Sequence, residues 1–374
     1  MYFIALRMLM GDTAKYVALI VGLAFSTTLV VQQGSIASGV LKRLSISVSL
    51  VPQAEIWVMH PSTRYFEERR PLPDPTLQQV RGVEGVEWAV PYYVGAGTAR
   101  LPDGSFAGIL ITGVDRHSKV GLPSEFESGS ADLIDMPDAV IWDNLNLALY
   151  KKVKVGDILE INDRRARIVG LAKAPRTFLN QPVIYTTYER ALRYSPGERK
   201  RLTFILAKVK PGLNAEVVAA RIRERTGQGA LTSSQFTWAT VDFFLKNSGI
   251  PINFGITVLL GLIVGIAVAG QTFYTFTVEN LKHFATLKAM GLSTGTLNRM
   301  VMMQALLVGL IGWGLGVGAA ALFGSQITDR SPIAFWLTPH LLAFSFVSMM
   351  GTVLLAAWIS IRRLKKAEPA MVFR

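Results

Sequence analysis

The sequence predicts an α-helical membrane protein with four transmembrane helices and a mixed α/β extracytoplasmic domain inserted between the first and second helices. Two observations predict this fold class. Four long stretches contain no Asp, Glu, Lys or Arg, and a charged segment over residues 42–246 separates the first stretch from the other three. A helix crosses the hydrocarbon layer, about 30 Å thick, with about 20 mainly apolar residues, because a charge at its centre costs several kcal/mol. Each stretch is long enough to cross.

Charged residues mark the ends of these stretches. The stretches lie between Lys15 and Lys42, between Lys246 and Glu279, between Arg299 and Asp329, and between Arg330 and Arg362. We therefore predict, in order, a cytoplasmic amphipathic segment (1–12), a first span (15–41), an extracytoplasmic domain of two subdomains (42–246), a second span (250–278), a cytoplasmic loop (279–299), a third span (300–328), a fourth span (332–361) and a cytoplasmic tail (362–374).

The basic residues near the membrane ends predict that both termini are cytoplasmic, because cytoplasmic loops carry an excess of Lys and Arg. In that orientation the cytoplasmic ends hold Arg7, Lys15, Lys282, Lys288, Arg299, Arg362, Arg363, Lys365, Lys366 and Arg374. The opposite side holds Lys42, Arg43, Lys246 and Arg330 near the bilayer. Attraction to anionic lipid then accounts for much of the net charge of +13, and no nucleic-acid partner is required.

The first apolar stretch has two interpretations. It could be a cleaved signal peptide, since Ala37-Ser38-Gly39 offers small residues for cleavage. It is longer than the apolar part of a signal peptide, however, and an even number of spans is needed to return the C-terminus to the cytoplasm. We therefore expect an uncleaved signal anchor. Residues 1–12 are expected to lie on the inner membrane surface, with a simple extension of the first span as the alternative.

The extracytoplasmic segment reads as alternating short strands and helices. Pro102-Asp103-Gly104-Ser105 predicts a hairpin turn between strands over 86–100 and 106–114. Further strands are expected over 54–59, 139–142, 159–161, 165–171, 183–186 and 203–209, with the third and fourth joined by a hairpin at Asn162-Asp163. Helices are expected over 76–81, over 144–150, from 188, and over 215–225 with Val217, Val218 and Ile222 on one side. Two βαβ-like halves are expected, divided near residue 125.

The sequence carries no P-loop and no zinc-protease motif. There is no cysteine, no Gly-Lys dipeptide for a phosphate-binding P-loop, and no His-Glu-x-x-His. The four histidines are isolated in sequence, so we expect no metal site, no bound cofactor and no enzymatic activity. No charge lies at mid-membrane depth, which argues against a proton-coupled transporter. Any energy source must therefore come from another chain.

The loop after the second span is the best functional candidate. Residues from Glu279 to Met290 favour a helix, Gly291 can cap its C-terminus, and Ser293 or Thr294 can start the next helix. An apolar and basic stripe then runs along it through Phe284, Leu287, Lys288 and Gly291. This stripe could dock in a groove of a cytoplasmic partner, or it could rest on lipid. The candidate contact residues are Glu279, Lys282, His283, Phe284, Leu287, Lys288, Met290 and Gly291.

Glycines recur at helical spacing in the second and third spans. Small residues four apart let helices approach closely in lipid, where packing drives association. The candidate packing residues are Gly261, Gly265, Gly312 and Gly316. The third span also contains Gly314 and Gly318. The third span is expected to pack tightly, either within the chain or across a dimer.

Several segments resemble one superfamily of permeases. The stretch Val264-Gly-Ile-Ala-Val-Ala-Gly-Gln-Thr-Phe-Tyr-Thr-Phe-Thr-Val-Glu-Asn-Leu-Lys-His-Phe-Ala-Thr-Leu-Lys-Ala-Met-Gly291 resembles the FtsX-like permease module of ABC transporters. The ending Glu368-Pro-Ala-Met-Val-Phe-Arg374 is similar to the tail of DevC-type permeases. Three outer segments resemble the MacB-like periplasmic core domain: Gly85-Val-Glu-Trp-Ala-Val-Pro91, Gly113-Val-Asp115 and Val155-Gly156-Asp157.

The resemblance implies a mechanotransmission (type VII) permease of the bacterial inner membrane with a periplasmic outer domain. The chain lacks the fused ATPase domain of macrolide exporters and the eight or ten spans of some relatives, so a separate ABC ATPase subunit and a homodimer are implied. The ATPase would bind ATP and magnesium and grip residues 279–291. Outside, a periplasmic adaptor protein and a TolC-like outer-membrane channel would be partners.

Two other functions stay open. The chain could be a lipoprotein-releasing or FtsX-like regulator that activates an extracytoplasmic partner without exporting anything. It could also be a membrane sensor or scaffold that uses no ATPase. The cargo of an exporter is not encoded in any recognisable motif.

Overall fold

A computed structural model describes residues 13–143, 153–179, 181–195, 202–328 and 333–364. The chain divides into two compact units: a membrane unit, formed by residues up to Val40 and from Gly249 onward, and an outer unit, Leu41–Ser248. The predicted segment over 1–12, the predicted helix over 144–150 and the tail beyond residue 364 lie outside the described residues.

The described part of the chain contains helices in both units and strands in the outer unit. In chain order they are α1 (Thr13–Ser49), β1 (Ile56–Met59), α2 (Thr76–Arg81), β2 (Val86–Arg100), β3 (Phe106–Val114), β4 (Phe126–Ser128), a short 3₁₀ helix (Ala131–Asp135), β5 (Ala139–Asp143), β6 (Ile158–Ile161), β7 (Arg164–Ala172), β8 (Val183–Thr187), α3 (Tyr188–Tyr194), β9 (Phe204–Val209), α4 (Ala215–Thr226), β10 (Gly229–Thr232), α5 (Ser233–Asn247), α6 (Ile250–Glu279), α7 (Leu281–Ala289), α8 (Thr294–Thr328) and α9 (Pro339–Leu364).

Four helices, α1, α6, α8 and α9, are long and apolar enough to cross a membrane. They correspond to the four predicted spans, although the helix of the fourth begins at Pro339, seven residues after the predicted start at 332. Helix α1 continues to Ser49, beyond the predicted end at residue 41. The extension forms because its last turns carry apolar residues that become buried: Leu44 and Val48 are fully buried, and Val48 joins the core of the outer unit. The predicted span ends at the first charged residues, whereas the helix itself continues as far as its apolar residues pack.

The outer unit is built on one mixed sheet. In the described part of the chain its strand order is β10-β1-β9-β2-β3-β8-β5-β7-β4, and β6 pairs with both β2 and β7. The long strand β2 connects the two ends of the sheet, because Val86–Tyr92 pairs with β9 and Tyr93–Arg100 pairs with β3. The expected division near residue 125 is therefore wrong. Strands from the two sides of that residue are neighbours in the sheet at β10–β1, β1–β9, β9–β2 and β3–β8, and local sequence patterns carry no signal for such distant pairing.

Aromatic packing forms the core on one face of this sheet. Trp57 of β1 is fully buried, and the ring centroids of Phe66, Tyr92, Phe204 and Phe236 lie 5.5–5.9 Å from its own. Such edge and tilted contacts are the arrangements that aromatic quadrupoles favour.

Two further cores complete the outer unit. Helices α2 and α4 contribute Val80, Val218 and Ile222 to a cluster with residues of β1 and β9. Val217, expected on the packed side of α4, is 50% exposed instead, since the helix directs Val218 and Ile222 inward. The third cluster packs α3 against the other half of the sheet around Trp142.

Candidate functional site

The predicted cytoplasmic helix is two helices with a break at Asn280. Helix α6 runs through Glu279, and α7 begins at Leu281. The side chain of Asn280 donates a hydrogen bond to the carbonyl of Phe276 (2.9 Å), while its own carbonyl accepts from the backbone N–H of Phe284 (3.0 Å). Glu279 therefore belongs to the end of the membrane helix, not to the contact helix. Asparagine competes for backbone hydrogen bonds in this way, so it favours helix ends.

The far end of α7 is as predicted. Gly291 adopts φ +97°, a left-handed conformation that favours glycine, and its N–H donates to the carbonyl of Lys288 (3.1 Å). The hydroxyl of Ser293 accepts from the backbone N–H of Thr296 (3.2 Å), which caps the start of α8. The cap at Gly291 and the helix start at Ser293 are confirmed.

The apolar side of α7 packs against other helices of the membrane unit. Phe284 and Ala285 are 1% exposed, and Phe284 packs in a cluster with Phe276, Leu297 and Met300. The expected stripe is therefore wrong as an accessible surface, since its aromatic member is enclosed by the other helices of its own chain. An amphipathic helix buries its apolar face against the nearest core, and here that core is intramolecular.

A different face of α7 is accessible. We call it the α7 face; it consists of Lys282, His283, Thr286, Ala289, Met290 and the following Gly291, all exposed. Met290 is 66% exposed, which is high for an apolar side chain at the end of a helix. Leu287 and Lys288 are half-buried at its border. The face combines a basic group, an imidazole and a flexible thioether, so it can make both polar and apolar contacts.

An ion pair joins two membrane helices, α1 and α6, at the ends that are predicted to be cytoplasmic. Nζ of Lys15 in α1 lies 2.5 Å from Oε2 of Glu279 at the end of α6, and both side chains are partly exposed. No periodic pattern in the sequence predicts this pair. The two residues are 264 positions apart, and the one available signal was that each ends an apolar stretch on the same predicted side of the membrane.

All four predicted packing glycines lie against α1. A Cβ atom placed on Gly316 would lie 2.5 Å from Cβ of Thr27, and one on Gly312 would lie 2.7 Å from Cβ of Leu23. On α6, a Cβ on Gly265 would lie 2.5 Å from Oγ of Ser26.

A Cβ on Gly261 would lie 3.2 Å from Cγ2 of Val30. The hydroxyl of Ser26 also donates to the carbonyl of Gly261 (2.6 Å). Of the two expected arrangements, the structure shows tight packing within the chain.

Polar groups of the outer unit have structural roles. Arg190 of α3 donates to the carbonyls of Ile134, Met136 and Ala139 (2.7–3.0 Å), and so holds the 3₁₀ helix against the sheet. Burial lowers the pKa of Arg190 below its usual range. Across the residues that the structure describes, no three His, Asp or Glu side chains cluster as metal ligands would.

Comparison with known proteins matches two parts of the chain. Residues 17–225 match the model of the MacB-like periplasmic core domain, and residues 255–369 match the FtsX-like permease C-terminal domain. An uncharacterized ABC transporter permease of Mycobacterium tuberculosis, present in two strains, is 24% identical over 378 residues, covering 100% of this chain and 99% of that protein. Another, from Methanocaldococcus jannaschii, is 23% identical over 215 residues, covering 56% of this chain and 49% of that protein.

Two solved structures show similarity at low TM-scores. The periplasmic region of MacB from Actinobacillus actinomycetemcomitans aligns with a TM-score of 0.38 and 14% identity, covering 54% of this chain and 96% of that one. The extracellular domain of the noncanonic ABC-type transporter YknZ aligns with a TM-score of 0.35 and 14% identity, covering 48% and 98%. The two matched domains together occupy most of the chain. The chain therefore belongs to the family of FtsX-like permeases with a MacB-like periplasmic core domain.

Proposed function

We propose that this chain is the permease subunit of an ABC-type export system in the bacterial inner membrane, with both termini in the cytoplasm and the outer unit in the periplasm. It transmits the ATP-driven motion of a separate ATPase subunit to the outer unit and hydrolyses no ATP itself. ATP and magnesium bind the ATPase. The observation that carries the proposal is the α7 face, a short helix after a membrane helix whose apolar side is anchored and whose other side is accessible.

The packing of α7 against its own membrane helices supports a role in transmitting force. Phe284 is enclosed among membrane-unit residues, including Leu297 of α8, so a force on the α7 face moves the helices that hold Phe284. A contact helix hinged only by flexible loops would absorb the same force. The short connections on both sides, one residue before α7 and four after it, favour rigid transmission.

Helix α1 offers a route from the cytoplasmic side to the outer unit. It runs without interruption from Thr13 to Ser49, a length of about 55 Å at 1.5 Å per residue. One end carries the ion pair of Lys15 with Glu279, and near the other end Val48 is buried in the core around Trp57. We propose that α1 carries motion between these ends, and that two copies act together as a homodimer.

Outside the membrane, we propose that the outer unit works with a periplasmic adaptor protein and a TolC-like outer-membrane channel. The support is the match to the MacB-like periplasmic core domain and the resemblance of the tail to DevC-type permeases. In the regulatory alternative, the outer unit activates an extracytoplasmic partner. That alternative uses the same contact between the α7 face and the ATPase, and it differs in which proteins copurify with the outer unit.

The test measures how strongly the full-length chain in lipid nanodiscs stimulates its ATPase subunit. Met290→Asp places a charge on the α7 face, and loss of a central contact residue of an interface costs about 2 kcal/mol or more, which is roughly 30-fold in Kd. The matched control is Met136→Asp, because Met136 is 48% exposed in the outer unit. We expect the first variant to lose stimulation and the second to retain it. Equal stimulation by both would refute the contact at α7.

Copurification under native conditions separates the two roles of the outer unit. An adaptor and a channel protein bound to the complex support export, whereas a cell-wall hydrolase supports regulation. ATP hydrolysis by the isolated chain would contradict both.

A further inference from the structure

A cluster of aromatic and basic side chains lies on the outer unit where the chain enters its second membrane helix. Tyr65 and Phe243 stack with ring centroids 4.1 Å apart and an interplanar angle of 13°. Phe244 packs edge-on against Tyr65 (5.5 Å) and against Phe178 (4.9 Å). The guanidinium of Arg64 lies 4.9 Å from the centroid of Phe243. We call the set Arg64, Tyr65, Phe178, Phe243, Phe244 and Lys246 the basal patch.

The basal patch is only partly covered. Its four aromatic rings are half-buried, and the side chains of Arg64 and Lys246 are 63% and 71% exposed. Two leucines adjoin it, Leu179 at 44% and Leu245 at 40% exposure. Half-buried rings that lie together, bordered by exposed leucines and cations, form the kind of apolar patch with a polar rim that marks a protein or membrane interaction site.

Chain connectivity keeps this patch close to the membrane. Lys246 precedes Ile250, the first residue of α6, by four positions, a reach of about 14 Å even if the chain is fully extended. The first predicted span ends at residue 41, and Lys42 and Arg43 follow it directly.

The charge of these segments suits an anionic surface. Residues 42–43, 60–70, 173–179 and 242–248 contain eight basic and three acidic residues, a net charge of +5. Two of the acidic residues are engaged locally: Glu68 pairs with Arg64 at 2.9 Å, and Asp242 pairs with Lys246 at 2.7 Å. Rings of Tyr and Phe that sit at headgroup level, with cations beside them, are the arrangement by which membrane proteins anchor at the interface.

We propose that the basal patch is a lipid-binding surface that seats the outer unit on the anionic phospholipid headgroups of the adjacent leaflet. The aromatic rings and leucines lie at the level of the headgroups and glycerol backbones, while Arg64 and Lys246 contact phosphates. Guanidinium and ammonium groups match the phosphate oxygens, and the stacked rings keep the patch rigid. This inference is independent of the ATPase and of the export role.

A single spin label can test the contact, since the chain contains no cysteine. The probe is Leu245→Cys beside the basal patch, and the control is Leu213→Cys, which is 47% exposed. Leu213 follows the carboxyl end of β9, whereas Phe204 at the other end of that strand contacts Phe66, next to Tyr65. The two labels therefore report on opposite ends of the same strand.

The full-length chain is placed in nanodiscs of phosphatidylcholine, with and without phosphatidylglycerol, and collisions of the label with oxygen and with a water-soluble nickel chelate are compared. With phosphatidylglycerol, we expect the label at 245 to favour oxygen and the label at 213 to favour nickel. Without it, the preference at 245 should shift toward nickel. Lys246→Glu in the labelled chain should reduce the effect of phosphatidylglycerol.

Three outcomes would overturn the proposal. The label at 245 could favour nickel in both lipids, which would place the patch in water. It could favour oxygen equally in both, which would remove the role of anionic headgroups. It could become shielded only when a partner protein is added, which would make the patch a protein interface.

Discussion

Replacing Gly316 by alanine tests the packing of α8 against α1 most directly. The new Cβ would lie 2.5 Å from Cβ of Thr27 and 2.6 Å from the carbonyl oxygen of Ala24, more than 1 Å inside ordinary carbon contact. Backbone cannot rotate away as a side chain can, so the helices must separate. We expect a loss of about 1–3 kcal/mol from overpacking. The hydrogen bond from Thr28 to the carbonyl of Gly316 (3.2 Å) would also weaken.

The same substitution at Gly314 is the matched control. It lies two residues away on the same helix, and apart from its chain neighbours and the adjacent backbone of that helix, no described atom lies within 4 Å of the position that its Cβ would take. Alanine is the better helix former by up to about 1 kcal/mol in water. We therefore expect Gly314→Ala to be neutral or slightly stabilising. The two variants share composition, helix and depth, so their difference isolates the contact with α1.

The loss of stability on replacing the other glycines by alanine should follow the same Cβ distances. Gly312→Ala should cost less than Gly316→Ala, since its Cβ would meet the side chain of Leu23 at 2.7 Å. Gly261→Ala should cost least, because Cγ2 of Val30 at 3.2 Å can yield by a few tenths of an ångström.

Equilibrium unfolding in lipid bicelles gives the free energy of each variant. The expected order of destabilisation is Gly316, Gly312, Gly261 and then Gly314. A result in which Gly316→Ala loses no more stability than Gly314→Ala would refute the packing of α8 on α1. Retained stability with a changed oligomeric state in Gly314→Ala would instead point to a second helix contact on that face.

Two further predictions concern charged groups. Lys15→Glu should weaken ATPase stimulation, and the double exchange of Lys15→Glu with Glu279→Lys should restore part of it. The effect should be small, because the pair is partly exposed and such pairs contribute about 0.2–1 kcal/mol. Loss of stimulation in both the single and the exchanged variant would exclude a role for the pair itself. Hydrogen bonding from Arg64 lowers the pKa of Glu68 from 4.5 to about 2, so the stabilisation is present above pH 4.5 and is lost as pH falls toward 2. Thermal unfolding of Glu68→Gln should differ from that of the unmodified chain above pH 4.5 and converge with it near pH 2; a difference that stays constant with pH would refute this linkage.

Local sequence chemistry predicted most elements of the outer unit. The strands β2 and β3 occupy the predicted residues, because apolar stretches ended at a turn whose Gly104 adopts φ +84°. The pairing of those strands with others was not predictable in the same way. β8 lies parallel to β3, and β9 lies antiparallel to β2, across more than 60 residues of intervening chain in each case. Such contacts depend on complementary faces of distant segments, which a single sequence does not encode locally.

The candidate site was predicted in position but not in orientation. The spacing of Phe284 and Leu287 correctly indicated an apolar side of the helix, and Gly291 correctly indicated its end. Which side would be accessible depended on the cluster formed by Phe276, Leu297 and their neighbours, and that cluster draws on residues from all four membrane helices. The exposed Met290 was in the predicted set, yet its position at the helix end carried no periodic signal.

The four glycines and the ion pair involve one helix, and this arrangement limits how the chain can move. Gly261 and Gly265 bring α6 close to α1 from one direction, while Gly312 and Gly316 bring α8 close to it from another. Glycine contacts of this kind let the helix backbones approach closely. On the proposed function, we expect α1, which is continuous from Thr13 to Ser49, to shift lengthwise or rotate while its neighbours stay in contact. Motion at α7 would then reach the outer unit as a displacement of α1, and no substrate path through the membrane unit would be needed.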